Sequence, residues 1–245
     1  MKINVINPNT SKQMTRLIGD IVNKFASHDT IVEVVSPTDG PISIESHLDD
    51  AIAAASILEL VAVGEQQRAD GQVIACFGDP GLLAAREISS GPVVGIAEAA
   101  MHAATLVATR FSIVTSMART AIQSEELLVR YGFERHCRNI RSVNVPVLGI
   151  AQNGCDIVDL ITHECYRSRD EDNIGAIVLG CSALGLHAER LTIELGIPVI
   201  DGVRTAICLI EAMVKSGLKT SKHGDLARPT KKEFSGRYSV WNSML

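Results

Sequence analysis

One pattern occurs twice in this chain, and it constrains the fold more than any other feature. The first copy reads Val73-Ile74-Ala75-Cys76-Phe77-Gly78, a helical stretch, then Gly91-Pro92-Val93-Val94-Gly95-Ile96. The second reads Ile177-Val178-Leu179-Gly180-Cys181-Ser182, a helical stretch, then Gly196-Ile197-Pro198-Val199-Ile200-Asp201. Each copy is an apolar strand, a thiol at its C-terminal end, a small-residue turn, a helix and a new strand. A chain built this way folds as two related halves. Facing each other across a pseudo-twofold axis, the halves bring two sulfurs to one pocket from opposite sides. That suits chemistry needing an acid on one face of a carbon and a base on the other.

Around these units, apolar runs of strand length alternate with helical periodicity. Strands are predicted at Lys2–Ile6, Ile31–Ser36, Gly71–Ala75, Val93–Gly95, Phe111–Thr115, Arg141–Val145, Ala176–Leu179 and Val199–Ile200. Helices are predicted at Ser11–Ala26, His47–Arg68, Gly81–Ser89, Ile96–Ala108, Arg119–Tyr131, Ile157–Asp170, Leu184–Leu195 and Val203–Ser216. Regular alternation of this kind gives a parallel sheet with crossover helices. The expected fold is therefore α/β: two pseudo-symmetric doubly wound parallel-sheet lobes with the active site between them. Residues 1–107 with 211–245 form the first lobe and its C-terminal tail, and residues 108–210 form the second. The polar tail Thr220–Leu245 is expected to wrap the body irregularly.

Composition narrows the function classes. A formal net charge of −5 with no basic block beyond Lys231-Lys232 gives nucleic acid no electrostatic foothold. No apolar run reaches membrane-spanning length and no leader pattern precedes the first strand, so a cytoplasmic protein without a membrane segment is expected. Six cysteines without CxxC spacing read as reduced thiols, and no clustered Cys/His ligands suggest a metal.

Ligands of open α/β sheets bind beyond the C-terminal strand ends. Here those ends carry Asn7-Pro8-Asn9-Thr10-Ser11, Cys76-Phe77-Gly78-Asp79, Thr115-Ser116 and Cys181-Ser182-Ala183. Cys76 and Cys181 are the candidate acid and base; a lone cysteine is usually a small hydrophobe, but these two share one place in a repeat. Cys137, Cys155, Cys165 and Cys208 lack that placement. Helix N-termini following the strands are expected to favour a thiolate. Asn7, Pro8, Phe77, Gly78, Thr115, Ser182 and Ala183 are the candidate substrate contacts, although Asn, Thr and Ser also cap helices. Asp79, followed by Pro80-Gly81, is expected to cap the helix that begins there.

Ile6-Asn7-Pro8-Asn9-Thr10-Ser11, Ala75-Cys76-Phe77-Gly78-Asp79-Pro80-Gly81 and Leu179-Gly180-Cys181 resemble the signatures of hydantoin racemases, within the aspartate/glutamate racemase superfamily. The resemblance extends over nearly the whole chain, and the tail Ser221-Lys222-His223-Gly224-Asp225-Leu226-Ala227 is most similar to the allantoin racemase branch. It implies a cofactor-independent isomerase acting on a small cyclic ureide, with Cys76 and Cys181 exchanging a proton at C5, in a homo-oligomer. One departure from the family matters, and one contrast with glutamate racemases. Ser182-Ala183-Leu184-Gly185 differs from many relatives and bears on the C5 substituent, while Asn7-Pro8-Asn9 and Phe77-Gly78 disfavour an amino-acid substrate. The rival readings are a maleate isomerase-like enzyme with one nucleophilic cysteine and a non-catalytic two-lobed small-ligand sensor.

Overall fold

The computed structural model describes residues 1–152 and 155–244. Two four-stranded parallel sheets carry the fold. The first contains β1 (Lys2–Ile6), β2 (Ile31–Val35), β3 (Gly71–Ile74) and β4 (Val93–Gly95), in the order β2-β1-β3-β4. The second contains β5 (Phe111–Thr115), β6 (Cys137–Ser142), β7 (Ala176–Leu179) and β8 (Val199–Asp201), in the order β6-β5-β7-β8. Each half therefore winds second, first, third, fourth, and every pairing is parallel. The two-lobed α/β architecture expected from the repeat is the one observed. The central strands are buried nearly end to end, because helices cover both faces of each sheet.

The helices are α1 (Lys12–Phe25), α2 (His47–Gln66), α3 (Leu82–Ile88), α4 (Ile96–Val107), α5 (Ala118–Tyr131), α6 (Val147–Gln152), α7 (Cys155–Asp172), α8 (Ala188–Leu195), α9 (Gly202–Lys215) and α10 (Trp241–Met244). Local chemistry starts them. Ser11 caps α1 by accepting from the Met14 N–H, and α1 then buries Met14, Leu17, Ile18, Ile21 and Val22 at three- and four-residue spacing. Ser46 caps α2 through the Asp49 N–H, while the Asp49 carboxylate accepts from the Glu45 N–H and the Ser46 hydroxyl. No described helix is long and apolar enough to cross a membrane.

Two helices tie the lobes together. Helix α4 leaves the first sheet and packs Ala97, Ala100, Met101 and Ala104 among Phe111, Ile113 and Val178 of the second. Helix α9 leaves the second sheet and packs Val203, Ala206, Ile207 and Ile210 among Ile3, Val5 and Val73 of the first. This exchange draws the two helix starts into contact. A Cβ on Gly202 would lie 2.6 Å from the Ile96 carbonyl oxygen, so only glycine fits there.

Three elements differ from the sequence pattern. Strand β6 spans Cys137–Ser142 rather than Arg141–Val145. It is an edge strand holding Arg138, Asn139 and Arg141, and polar contacts rather than apolar alternation fix it. The Leu184–Leu195 segment is not one helix: Ser182–His187 forms a 3₁₀ turn before α8 begins at Ala188. Helix α6 follows Pro146 and is too short to show periodicity in the sequence. The tail lies against the helices of the first sheet: Thr220 donates to the Gly91 carbonyl at 2.6 Å, Lys222 to the Arg86 and Glu87 carbonyls, and Trp241 is buried against the α2–α3 cluster. Leu245 lies outside the described residues.

The edge strand gives a pH prediction. Arg141 Nη2 and Nε donate to Asp172 at 2.6 and 2.8 Å, and Ser112 and Asn139 add hydrogen bonds at 2.9 and 3.1 Å. Burial alone would raise the Asp172 carboxyl, but these donors outweigh it and hold it at about 2 against an ordinary 3.8. A carboxyl depressed in the folded state stabilises above its unfolded value and loses that contribution as pH falls through its folded value. Asp172→Asn should therefore lower stability at neutral pH and flatten the decline between about pH 4 and 2, read by chemical denaturation across that window.

Candidate active site

Cys76 and Cys181 occupy the same place in the two lobes, each two residues past the end of its third strand. Ala75 and Gly180 separate thiol from strand. A Cβ on Gly180 would lie 2.8 Å from the Thr115 Cβ, so the close approach of β5 requires glycine there. Both thiols line one cavity of about 50 Å³, with room for a few waters. Phe77, Gly78, Thr115 and Ser182 line it as well.

Asn7, Pro8 and Ala183 do not line the cavity. Asn7 is fully buried, and its amide donates to Asn9 Oδ1 and Thr15 Oγ1, both at 3.0 Å. It braces the turn, Pro8 is buried within it, and Asn9 is the residue that reaches the cavity. The Ala183 side chain is buried away, and the Leu184 N–H donates to the Cys181 carbonyl oxygen at 3.0 Å.

Asp79 corrects another expectation. It does not cap the helix that follows it, because Gly81 enters the left-handed region (φ 65°) and α3 begins only at Leu82. Its buried carboxylate instead accepts from the Ala97 and Glu98 N–H groups at 3.1 and 2.9 Å, capping α4, and from the Tyr131 hydroxyl at 2.8 Å. The second lobe reaches the same end by the opposite route: Asp201 caps α9 from the helix's own start, through Val203 and Arg204. Each carboxylate occupies the space a partner glycine leaves. A Cβ on Gly95 would lie 2.2 Å from Asp79 Cγ, and one on Gly185 would lie 2.5 Å from Asp201 Oδ1.

Comparison with known proteins assigns the architecture. The family model described as Asp/Glu/hydantoin racemase matches residues 3–210. The chain is 42% identical to a hydantoin racemase of Pseudomonas sp. (strain NS671) over 96% of its own length and 95% of that protein's. It superposes on an allantoin racemase from Klebsiella pneumoniae with a TM-score of 0.97 at 50% identity, covering 99% of each chain. An allantoin racemase from Pseudomonas fluorescens gives a TM-score of 0.92 at 30% identity, covering 96% of this chain and 100% of that one. The chain belongs to the Asp/Glu/hydantoin racemase family. It is an isomerase, and small molecules are what racemases of this family act on.

In this racemase burial dominates the state of both thiols. It pushes Cys76 up to about 12, and the charges of Asp50, Cys181 and Asp79 add to that, while the Gly78 N–H pulls the other way. It pushes Cys181 up to about 11 against the Ala183 and Leu184 N–H groups. The amides act in the direction expected from the sequence, but desolvation is larger, so both sulfurs are thiols at neutral pH. A thiolate formed in such surroundings is a strong base, suited to a weakly acidic C–H. The charge of Cys181 also raises Cys76, so a thiolate at Cys181 disfavours a second one at Cys76.

Several cavity residues carry no motif. Thr120, Gln123 and Ser124 line it from the first turns of α5, and their i, i+3, i+4 spacing is the signal that identifies one polar face. Ile44 and Val147 line it from the two lobes. They are brought together by Glu45, whose Oε1 accepts from the Val147 N–H at 2.9 Å across the lobe boundary. Nothing local in the sequence joins residues so far apart.

Proposed function

We propose that this racemase inverts C5 of 5-substituted hydantoins, with allantoin as its preferred substrate, by a cofactor-independent two-base mechanism. The observation that carries the reading is the cavity that Cys76 and Cys181 line from equivalent positions of the two lobes. Identity of 50% with an allantoin racemase, against 42% with a hydantoin racemase, supports the choice of substrate.

One cysteine, as thiolate, removes the C5 proton and becomes a thiol. The C–H bonding pair moves into the ring, giving an enolate with negative charge on the C4 carbonyl oxygen. The other cysteine, as thiol, delivers its proton to the opposite face of C5 and becomes the thiolate. The net change is inversion alone, and the next turnover of the opposite enantiomer runs through the same two groups with roles exchanged. Backbone N–H groups of Phe77-Gly78 and Ser182-Ala183 are the donors proposed for the enolate oxygen, where fixed dipoles in a water-poor site stabilise developing charge. Assembly into a homo-oligomer belongs to the same reading, and light scattering on the purified chain measures it.

The test is a paired measurement on one enantiomer of allantoin in deuterated solvent. Optical rotation should decay while the C5 proton signal disappears, faster than in an enzyme-free control. A substrate adduct on either thiol by mass spectrometry, with C5–H retained, would instead indicate a nucleophilic isomerase and overturn the proposal.

A further inference from the structure

One polar atom beside the cavity lacks a partner. Asp50, on α2, has its Oδ1 buried, and that oxygen accepts no hydrogen bond among the described residues. No ion pair to Asp50 occurs among them either; Arg130 and His47 act on it only through longer-range charge, opposed by Glu126. A buried acceptor in this condition calls for a donor.

Gly78 shows where the donor would come from. This glycine lines the cavity. The point where its Cβ would stand lies 2.9 Å from Asp50 Oδ1 and 3.9 Å from Cys76 Sγ. A Cβ at position 78 would press on the carboxylate oxygen; glycine lets Asp50 Oδ1 stand against the cavity wall. No side chain at position 78 therefore stands between the unpaired oxygen and the cavity that holds the proposed base.

We propose that Asp50 reads the C5 substituent, its Oδ1 accepting from the N–H groups of a ureido chain and so favouring ureido-substituted hydantoins over alkyl-substituted ones. This rests on the racemase reading above, in which C5 sits between the sulfurs and its substituent begins one bond away. A ureido group offers several N–H donors in one plane, which suits a carboxylate. An alkyl group in the same place would bury the oxygen without pairing it, and sites built around a polar contact reject analogues that lack the matching group.

The test compares kcat/KM for allantoin and 5-isopropylhydantoin, measured by polarimetry on wild type, Asp50→Ala and Asp50→Asn. The loss in Asp50→Ala should be about ten- to a hundredfold greater on allantoin than on 5-isopropylhydantoin. Asp50→Asn keeps an oxygen acceptor and should lie between wild type and Asp50→Ala in that ratio. Equal losses on both substrates, or an unchanged ratio, overturn the assignment; equal losses would place the carboxylate on the ring rather than on its substituent. Should Asp50→Ala fail to fold by thermal denaturation, the ratio for Asp50→Asn decides alone, narrowed in support or unchanged in refutation. Wild-type enzyme that racemises neither compound overturns the racemase reading itself, a result separate from a failure of Asp50.

Discussion

Replacing Cys76 or Cys181 with serine should lower kcat for racemisation by about 10³-fold, since positioned proton transfer is worth about 10²–10⁴. Serine nearly matches cysteine in shape, so the loss reflects chemistry rather than packing. Its hydroxyl is a far weaker acid than a thiol, and burial at either position disfavours the anion further. The two variants should also differ in a diagnostic way. With one thiol left, only the enantiomer whose C5–H faces that thiol can exchange its proton with solvent. Each variant should therefore wash deuterium into one enantiomer of allantoin without inverting it, and the two variants should choose opposite enantiomers. Full racemisation by either variant, or exchange of both enantiomers by both, would sink the two-base scheme.

The raised thiols add a pH signature to the wild-type enzyme. The free enzyme must lose one thiol proton before it can act as a base. Burial holds the lower of the pair at about 11, so the competent fraction grows as pH rises toward that value. Since kcat/KM reports the free enzyme, it should climb between pH 6 and 9. A flat profile across that range would mean that the base is some other group.

Much of this arrangement was legible in the residues because duplication is a long-range signal written in sequence. Matching strand, thiol, turn and helix in two places fixed both sheets and the position of Cys76 and Cys181 within them. Signals that depend on one element were weaker. Strand β6 is an edge strand held by Arg141 and Asp172 rather than by an apolar face, so its pattern pointed four residues too far along the chain. The Asn7-Pro8-Asn9 turn was recognisable as a turn, but which asparagine faces the cavity depends on a side-chain hydrogen bond from Asn7 to Thr15 in the first turn of α1. Glu45 and Val147, or Asp50 and Gly78, meet only through tertiary packing, and no local periodicity encodes such pairs.

The exchanged carboxylates support a second large effect, this time on stability. Gly95→Ala should destabilise the protein by about 3 kcal/mol, combining overpacking with a weakened helix cap. For a chain of this size, that is a fall of about 10 °C in Tm. Backbone conformation is not the cause, since Gly95 sits at φ −86° and ψ 145°, which any residue adopts. The cause is the Asp79 carboxylate, with all three of its terminal atoms within 2.5 Å of the new Cβ. Moving Asp79 aside would free the Ala97 and Glu98 N–H groups and the Tyr131 hydroxyl, each costly to bury unpaired. The second lobe suggests the remedy. There the carboxylate stands at the helix start and the glycine in the preceding 3₁₀ turn, so Asp79→Gly combined with Gly95→Asp would bring the same pairing to the first lobe. Asp79 itself lies at φ 45°, a conformation glycine adopts without strain, and an aspartate at position 95 can cap α4 as Asp201 caps α9. The double variant should therefore unfold at a higher temperature than either single one, a coupling that a double-mutant cycle measures directly. Additive losses would mean that the two lobes place their carboxylates alike without the sites being interchangeable.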